Sequence, residues 1–265
     1  MIRDSLVYWA QNLGVDGFRF DLASILERDP NGNFHQGSEL LWELKNDPEL
    51  AGIKMIAEPW DAVGGYRLGY PSKNANWAEW NDSFRDTVRK AVRGDEGQMT
   101  ALKEAILGSP GKFSSNEKGR EFSINFITSH DGMTLNDLVS YNHKHNLENG
   151  EENRDGHNSD FSFNCGVESP TQNAEVLELR RRKIRLMHFL LQVSNGIPMM
   201  LAGDEMLRTQ LGNNNTYCHD SPLTWVDWSL AERNSELVEY VGSLIDFRKK
   251  NFGCLLYTSP SPRDQ

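Results

Sequence analysis

The stretch Val15-Asp16-Gly17-Phe18-Arg19-Phe20-Asp21 decides how this chain is read. It has the look of a short strand over 17–21, and strand side chains alternate with a period of two. Arg19 and Asp21 therefore share one face, and Phe18 and Phe20 share the other, where they can pack. A guanidinium two residues from a carboxylate holds that carboxylate ionised and aims it. A structural Arg–Asp pair at a strand end fits these residues equally well, so the rest of the chain has to separate the two readings.

Before this stretch, Ile2, Leu6, Trp9, Ala10 and Leu13 form one face of a helix over 2–13, and Gly14 is suited to end it in the left-handed conformation. After it, Leu40, Leu41 and Leu44 mark a helix over 36–46. A strand over 53–57 runs into Glu58-Pro59-Trp60 and stops there, because Pro59 cannot donate to a ladder. A Gly- and aromatic-rich segment covers 61–82, with helices expected at about 83–92 and 97–107. The strand 122–128 ends at Ser129-His130-Asp131-Gly132. A short helix near 134–141 gives way to a polar stretch reaching about 173, too long for a simple connector. Helix 174–193, a stop at Gly196-Ile197-Pro198, a strand over 199–202 ending in Gly203-Asp204-Glu205, and a helix over 234–250 complete the order.

Alternating strands and helices imply parallel strands with crossover helices, an α/β fold. Each of the four strands ends in a polar cluster: Asp21, Glu58, His130-Asp131 and Asp204-Glu205. A (β/α)8 TIM barrel gathers its catalytic groups at the C-terminal ends of its strands. A doubly wound open sheet would do much the same, but this chain lacks the Gly-rich phosphate loop of that class. The barrel is the expectation.

The net charge of −10 argues against nucleic acid or an anionic membrane as partner. The basic run Arg180-Arg181-Arg182-Lys183 lies inside a helical pattern and reads as a solvated face. No apolar run is long enough to span a bilayer, and no signal peptide is visible. Cys165, Cys218 and Cys254 are odd in number and widely spaced, which fits a reducing, cytoplasmic setting.

Acids at successive strand ends, one flanked by Arg and another by His, suit acid–base chemistry on an uncharged, hydroxyl-rich substrate. Glycosidic cleavage needs two carboxyls tuned in opposite directions. Asp21 beside Arg19 is the natural ionised nucleophile. Glu58 emerges from Met55-Ile56-Ala57 beside Pro59 and Trp60, where desolvation raises its pKa and suits it to be the acid. Asp131 with His130 can stabilise charge and hold sugar hydroxyls. Metal ligation competes for such clusters, but no HExxH or close His spacing supports it, and no metal or cofactor is expected. His143 and His145 read as a solvated loop.

Three of these segments resemble successive signature regions of the alpha-amylase clan of glycoside hydrolases. They are Val15 to Asp21, Ala57-Glu58-Pro59-Trp60, and Phe126-Ile127-Thr128-Ser129-His130-Asp131. The resemblance implies Asp21 as covalent nucleophile, Glu58 as general acid/base and Asp131 as the third acid. Arg19 and His130 would assist the nucleophile and the sugar hydroxyls. The segments Trp77 to Asp86, His130 to Asn142, Asn149 to Gly156, and Ala202-Gly203-Asp204-Glu205 with Gly212-Asn213-Asn214-Asn215 are similar to the isoamylase and glycogen-debranching branch. This places Asp204 among the substrate-binding candidates. It implies retaining hydrolysis of α-1,6 branch linkages in glycogen-type glucans, without redox cofactor. Trp60, Trp80, Trp77, Tyr66 and Tyr70 are candidate sugar-stacking rings, with ordinary packing an equal alternative for each. In this branch Asp-Asn is common where Asp220-Ser221 stands here.

The clan's Asp-x-x-x-Asn-His segment, carried on an earlier strand, does not occur, and the chain opens directly on a helix. The expectation is a partial barrel, roughly its fourth to eighth strands, over residues 1–253. A tail of doubtful origin follows over 254–265. Two other readings remain open at this point: a 4-α-glucanotransferase or another clan enzyme, and an inactive fragment that binds glucan weakly.

Overall fold

The structure is a computed structural model. It describes residues 1–29, 31–34, 39–71, 77–113 and 122–256, with the side chains of Glu39 and of 252–256 excepted. Residues 36–38 of the expected second helix and 257–265 of the expected tail lie outside the described residues.

Helix α1 (Ile2–Leu13) buries Leu6 and ends on Gly14, whose φ of 71° lets its N–H reach back to the Trp9 carbonyl. Strand β1 (Gly17–Phe20) follows immediately. It is succeeded by α2 (Glu39–Asn46) and β2 (Lys54–Ala57). β1 and β2 pair in parallel, with Arg19 opposite Ile56 and Phe20 opposite Ala57. Next come β3 (Ala78–Asn81), α3 (Asp82–Arg93), α4 (Met99–Ile106) and β4 (Ser123–Phe126). β3 pairs in parallel with both β2 and β4. The remaining elements are α5 (Leu135–Leu138), α6 (Ala174–Val193), β5 (Ile197–Met199), α7 (Ser229–Arg233) and α8 (Ser235–Leu256). The sheet order is β1-β2-β3-β4-β5, the sequential order that repeated right-handed β/α crossovers produce.

Two strands depart from the sequence expectation. β3 was hidden in the segment 61–82, because its inward residues are polar. Glu79 and Asn81 are fully buried, Glu79 accepting from the Gly69 N–H at 2.7 Å and Asn81 donating to the hydroxyls of Ser109 and Ser123 at 2.9 Å. Pairing of buried polar groups replaces the apolar pattern that normally marks a strand. β5 starts two residues earlier than the expected 199–202 and contains Pro198. As the last strand of the sheet it tolerates a residue without an N–H.

The chain separates into two compact units, each with its own core. The first comprises Met1–Asp82, Leu107–Asn125 and Asn195–Ile197. Its core joins Leu6 of α1 and Leu41 and Leu44 of α2 to Met55 and Ala57 of β2 and to Trp77. Phe20 meets the Trp77 ring at a centroid distance of 4.6 Å, so the Phe face of β1 packs against the helices as its alternation requires. The second unit comprises Ser83–Ile106, Phe126–Ser194 and the residues from Pro198 onward. Its core is built from Phe84 and Val88 of α3, Ile184, Met187 and Leu191 of α6, and Val241 of α8. Helix α6 begins on Asn173, whose side chain accepts from the N–H groups of Glu175 and Val176. Among the described residues no helix is long and apolar enough to cross a membrane.

Candidate active site

In the first unit, the face of β1 and β2 that turns away from Phe20 and Ala57 carries the polar groups. Arg19 Nη1 donates to Asp21 Oδ1 at 2.7 Å, and Arg19 Nη2 stands 2.9 Å from Glu58 Oε2. One guanidinium thus carries two carboxyls from adjacent strands. Their surroundings differ sharply: the Asp21 side chain is 71% exposed and that of Glu58 only 6%.

The chain just after Asp21 completes the setting of Glu58. Leu22 adopts φ 43° and ψ 45°, in the left-handed region where a non-glycine residue is uncommon. At that turn the Leu22 N–H donates to Glu58 Oε2, 2.8 Å away. The Ala23 N–H donates to the Glu58 carbonyl at 2.9 Å, and the Glu58 N–H to the Phe20 carbonyl at 3.1 Å. The Glu58 carboxyl is pushed above its ordinary value, chiefly by burial and further by the Asp21 carboxylate. The Leu22 N–H and the Arg19 charge pull it back.

A second layer holds the loops that follow β1 and β2. Asp61 accepts from Ser24 Oγ and Arg28 Nε at 2.9 Å, and from the backbone N–H groups of Val63 and Gly65. The Arg28 guanidinium holds Asp61 well below the usual carboxylate range. Arg67 reaches Glu27 at 3.2 Å and stacks on Tyr70, while burial pushes Glu27 up to about 7 against the pull of Arg67. Trp60 forms a backbone bridge with Tyr66, whose hydroxyl donates to Asp82 at 2.8 Å. Trp77 is 1% exposed, so of the candidate stacking rings it serves the core. Trp80 lies 4.4 Å beneath Arg19 Cζ.

In the second unit, His130 and Asp131 follow β4 and are both about half exposed, with His130 Nε2 3.5 Å from Asp131 Oδ2. Asp204 is 2% exposed. Its carboxylate accepts from Thr128 Oγ1 and, at 2.9 Å, from the Leu135 N–H, and burial pushes it up to about 7. Both of its oxygens are thereby engaged in an internal tie between the ends of β4 and α5. Nearby, the expected polar stretch is cross-linked by asparagines. Asn146 and Asn214 bond side chain to side chain at 2.8 Å, and Asp155 accepts from Asn149 and Asn215. His145, expected on a solvated loop, pairs with Glu168 at 3.3 Å. With His143 and Lys144 these two residues line a cavity of about 730 Å³. Among the described residues no group of three or more His, Cys, Asp or Glu gathers in a metal-binding arrangement.

The sequence reading missed the Leu22 N–H, which acts through backbone geometry and leaves no signal in residue type. It named Trp80 as a candidate stacking ring, with ordinary packing an equal alternative, but not the contact of that ring with Arg19.

No family model matches the chain. A glycogen operon protein GlgX homolog of Mycobacterium bovis is 46% identical to it over 253 residues, 95% of this chain and 34% of that protein. Another GlgX homolog, from Haemophilus influenzae, is 46% identical over 258 residues, 93% of this chain and 38% of its own length. Isoamylase 3, chloroplastic, of Oryza sativa subsp. japonica is 43% identical over 252 residues, covering 95% and 32% of the two chains. Among solved structures, pullulanase from Bacillus acidopullulyticus superposes with a TM-score of 0.68 at 26% identity, over 93% of this chain and 27% of that one. Pullulanase type I from Bacillus subtilis, complexed with maltose, gives 0.67 at 27% identity, over 94% and 32%. The chain spans about a third of the length of the curated relatives it matches. The resemblance to the debranching branch of the alpha-amylase clan, carried in the sequence by a few motifs, thus extends over nearly all of the chain.

Proposed function

We propose that residues 1–253 are the C-terminal portion of a (β/α)8 catalytic barrel, from about its fourth to its eighth strand. The enzyme is a retaining glycoside hydrolase that cleaves α-1,6 branch linkages of glycogen-type α-glucans. The observation that carries this reading is the shared guanidinium: Arg19 presents one terminal nitrogen to Asp21 and the other to Glu58. Retaining enzymes keep their two carboxyls about 5–5.5 Å apart, and inverting ones about 6.5–9.5 Å to admit a water. The Asp21 side chain also acts directly on the Glu58 carboxyl, and a pair that close favours the shorter class.

In this reading Asp21, exposed and paired with Arg19, attacks the anomeric carbon and forms the glycosyl–enzyme bond. Glu58, buried and with its proton held to higher pH, gives that proton to the departing 6-oxygen of the branch point. It then takes a proton from the water that releases the sugar. Asp131 and His130 hold hydroxyls of the distorted sugar, Trp60 offers an apolar face to a pyranose, and Asp204 shapes the substrate-binding surface from beneath by tying the segment after His130-Asp131. The GlgX and isoamylase names of the relatives support the α-1,6 specificity, and a soluble, cytoplasmic setting suits glycogen as substrate.

The test is hydrolysis of a branched limit dextrin by the protein extended to the length of its relatives, with product anomers followed by NMR. Release of linear chains as the α-anomer is expected, and it should vanish in the Asp21→Asn, Glu58→Gln double variant. Persistent turnover in that variant would sink the assignment, and products lengthened by transfer would make the enzyme a glucanotransferase.

A further inference from the structure

Arg19, Ile56 and Ala78 stand opposite one another across β1, β2 and β3. Strand alternation places the residue two further along each chain on the same face, and those residues are Asp21, Glu58 and Trp80. Two carboxyls and an indole therefore crown three adjacent strands, with the Arg19 side chain rising among them. Its Nη1 donates to Asp21, its Nη2 stands 2.9 Å from Glu58 as an ion-pair contact without hydrogen-bond geometry, and its Cζ lies 4.4 Å over the Trp80 ring. The guanidinium is planar, its N–H groups point outward in that plane, and an aromatic ring engages its flat face. The indole can thus hold the group without competing for either carboxyl.

We propose that Trp80 is a positioning residue: by stacking on Arg19 it fixes the plane of the fork on which Asp21 and Glu58 are hung. The carboxyls come from separate strands and could each draw the guanidinium away from the other. A ring beneath the central carbon penalises both swings. The face of Trp80 that meets Arg19 is then closed to sugar, and the residue contributes to the reaction through the arginine. This inference rests on reading Asp21 and Glu58 as the reacting pair. Its test needs no substrate, so its failure is distinguishable from a failure of that reading.

The charged groups that act on the Glu58 carboxyl are Arg19 and Asp21, and the arginine opposes its protonation. Loosening the fork should therefore raise the Glu58 midpoint. The measurement is a 13C NMR titration of the Glu58 carboxyl, assigned with Glu58→Gln, in chains carrying tryptophan or mono-, di- or trifluorotryptophan at position 80. Fluorination preserves the ring's shape and drains its negative face, so folding is not at stake. A graded rise reaching about half a pH unit is expected. In the Arg19→Met background the same series should be flat. A flat series with Arg19 present overturns the proposal. So does an equal rise in the Arg19→Met background, because the ring would then act on Glu58 without the arginine.

Discussion

The backbone N–H of Leu22 donates to Glu58 Oε2 at 2.8 Å, and Leu22 itself lies in the left-handed region at φ 43°. A leucine there carries strain of roughly 1–2 kcal/mol that a glycine would not, and a β-branched residue would carry more. Leu22→Gly should therefore be close to neutral in urea unfolding, since relieved strain offsets the lost side chain. Leu22→Val should cost at least about 1 kcal/mol. Equal costs for the two would show that the turn is not strained.

Activity should depend on pH through Glu58. In the proposed reading Glu58 is the general acid and acts while protonated, so kcat/KM should fall as pH rises through its raised value. Arg19→Met removes a charge that favours the ionised form. The alkaline limb should then move to higher pH, while the rate drops by about 100-fold or more as the nucleophile loses its partner. A pH–rate profile of the variant on a branched substrate checks both. An alkaline limb that stays in place would separate Glu58 from the acid role.

Stability should fall as pH rises from about 4 to about 7, and Asp204 is one cause. Its value is 3.8 in the ordinary state and about 7 in the folded one, so across that window the folded chain binds more protons than the unfolded chain. Glu27, raised to about 7 from 4.5, acts in the same direction. Asp204→Asn keeps an acceptor for the Leu135 N–H and carries no charge. It should be more stable than the parent at about pH 8, by an order of 1–3 kcal/mol, and similar to it near pH 4. Urea melts at the two pH values decide the matter.

Arg89 on α3 is a buried charge with a structural task. It donates to the carbonyls of Ile127 at 2.8 Å and Asp160 at 3.0 Å, with Asp160 Oδ1 3.6 Å away. Burial lowers it to about 10, which leaves it charged at neutral pH. Arg89→Met should cost about 3–5 kcal/mol, because it strands two carbonyls and leaves the Asp160 carboxylate, still held by Asn214, without its counter-charge. Adding Asp160→Asn should recover part of that loss, and a double-mutant cycle in urea measures it.

The site was legible where its logic is local. Arg19 and Asp21 are two residues apart on one strand, so period-two alternation alone puts them together. The apolar run before Glu58 announces its burial. What escaped is long-range. Asp204 meets Thr128 and Leu135 from 76 and 69 residues away, bonds that its place after a strand does not announce. β3 escaped because Glu79 and Asn81 satisfy their polarity inside, which removes the apolar alternation by which a strand is recognised. Trp80 was legible as an aromatic near the strand end. Its contact with Arg19 depends on the register of three strands.

The left-handed turn at Leu22 also limits how this site can diverge. Between Phe20 and Ala23, three hydrogen bonds run to Glu58: its own N–H, its carboxylate and its carbonyl each take part. An insertion or deletion anywhere in that span would break the set and part the two carboxyls. Past Ala23 the second layer of Glu27, Arg28, Asp61 and Arg67 holds the loops through side chains, which can be exchanged one at a time. Changes of sequence can therefore be accommodated in the loops from about residue 24 onward, while the four residues before it stay fixed in length.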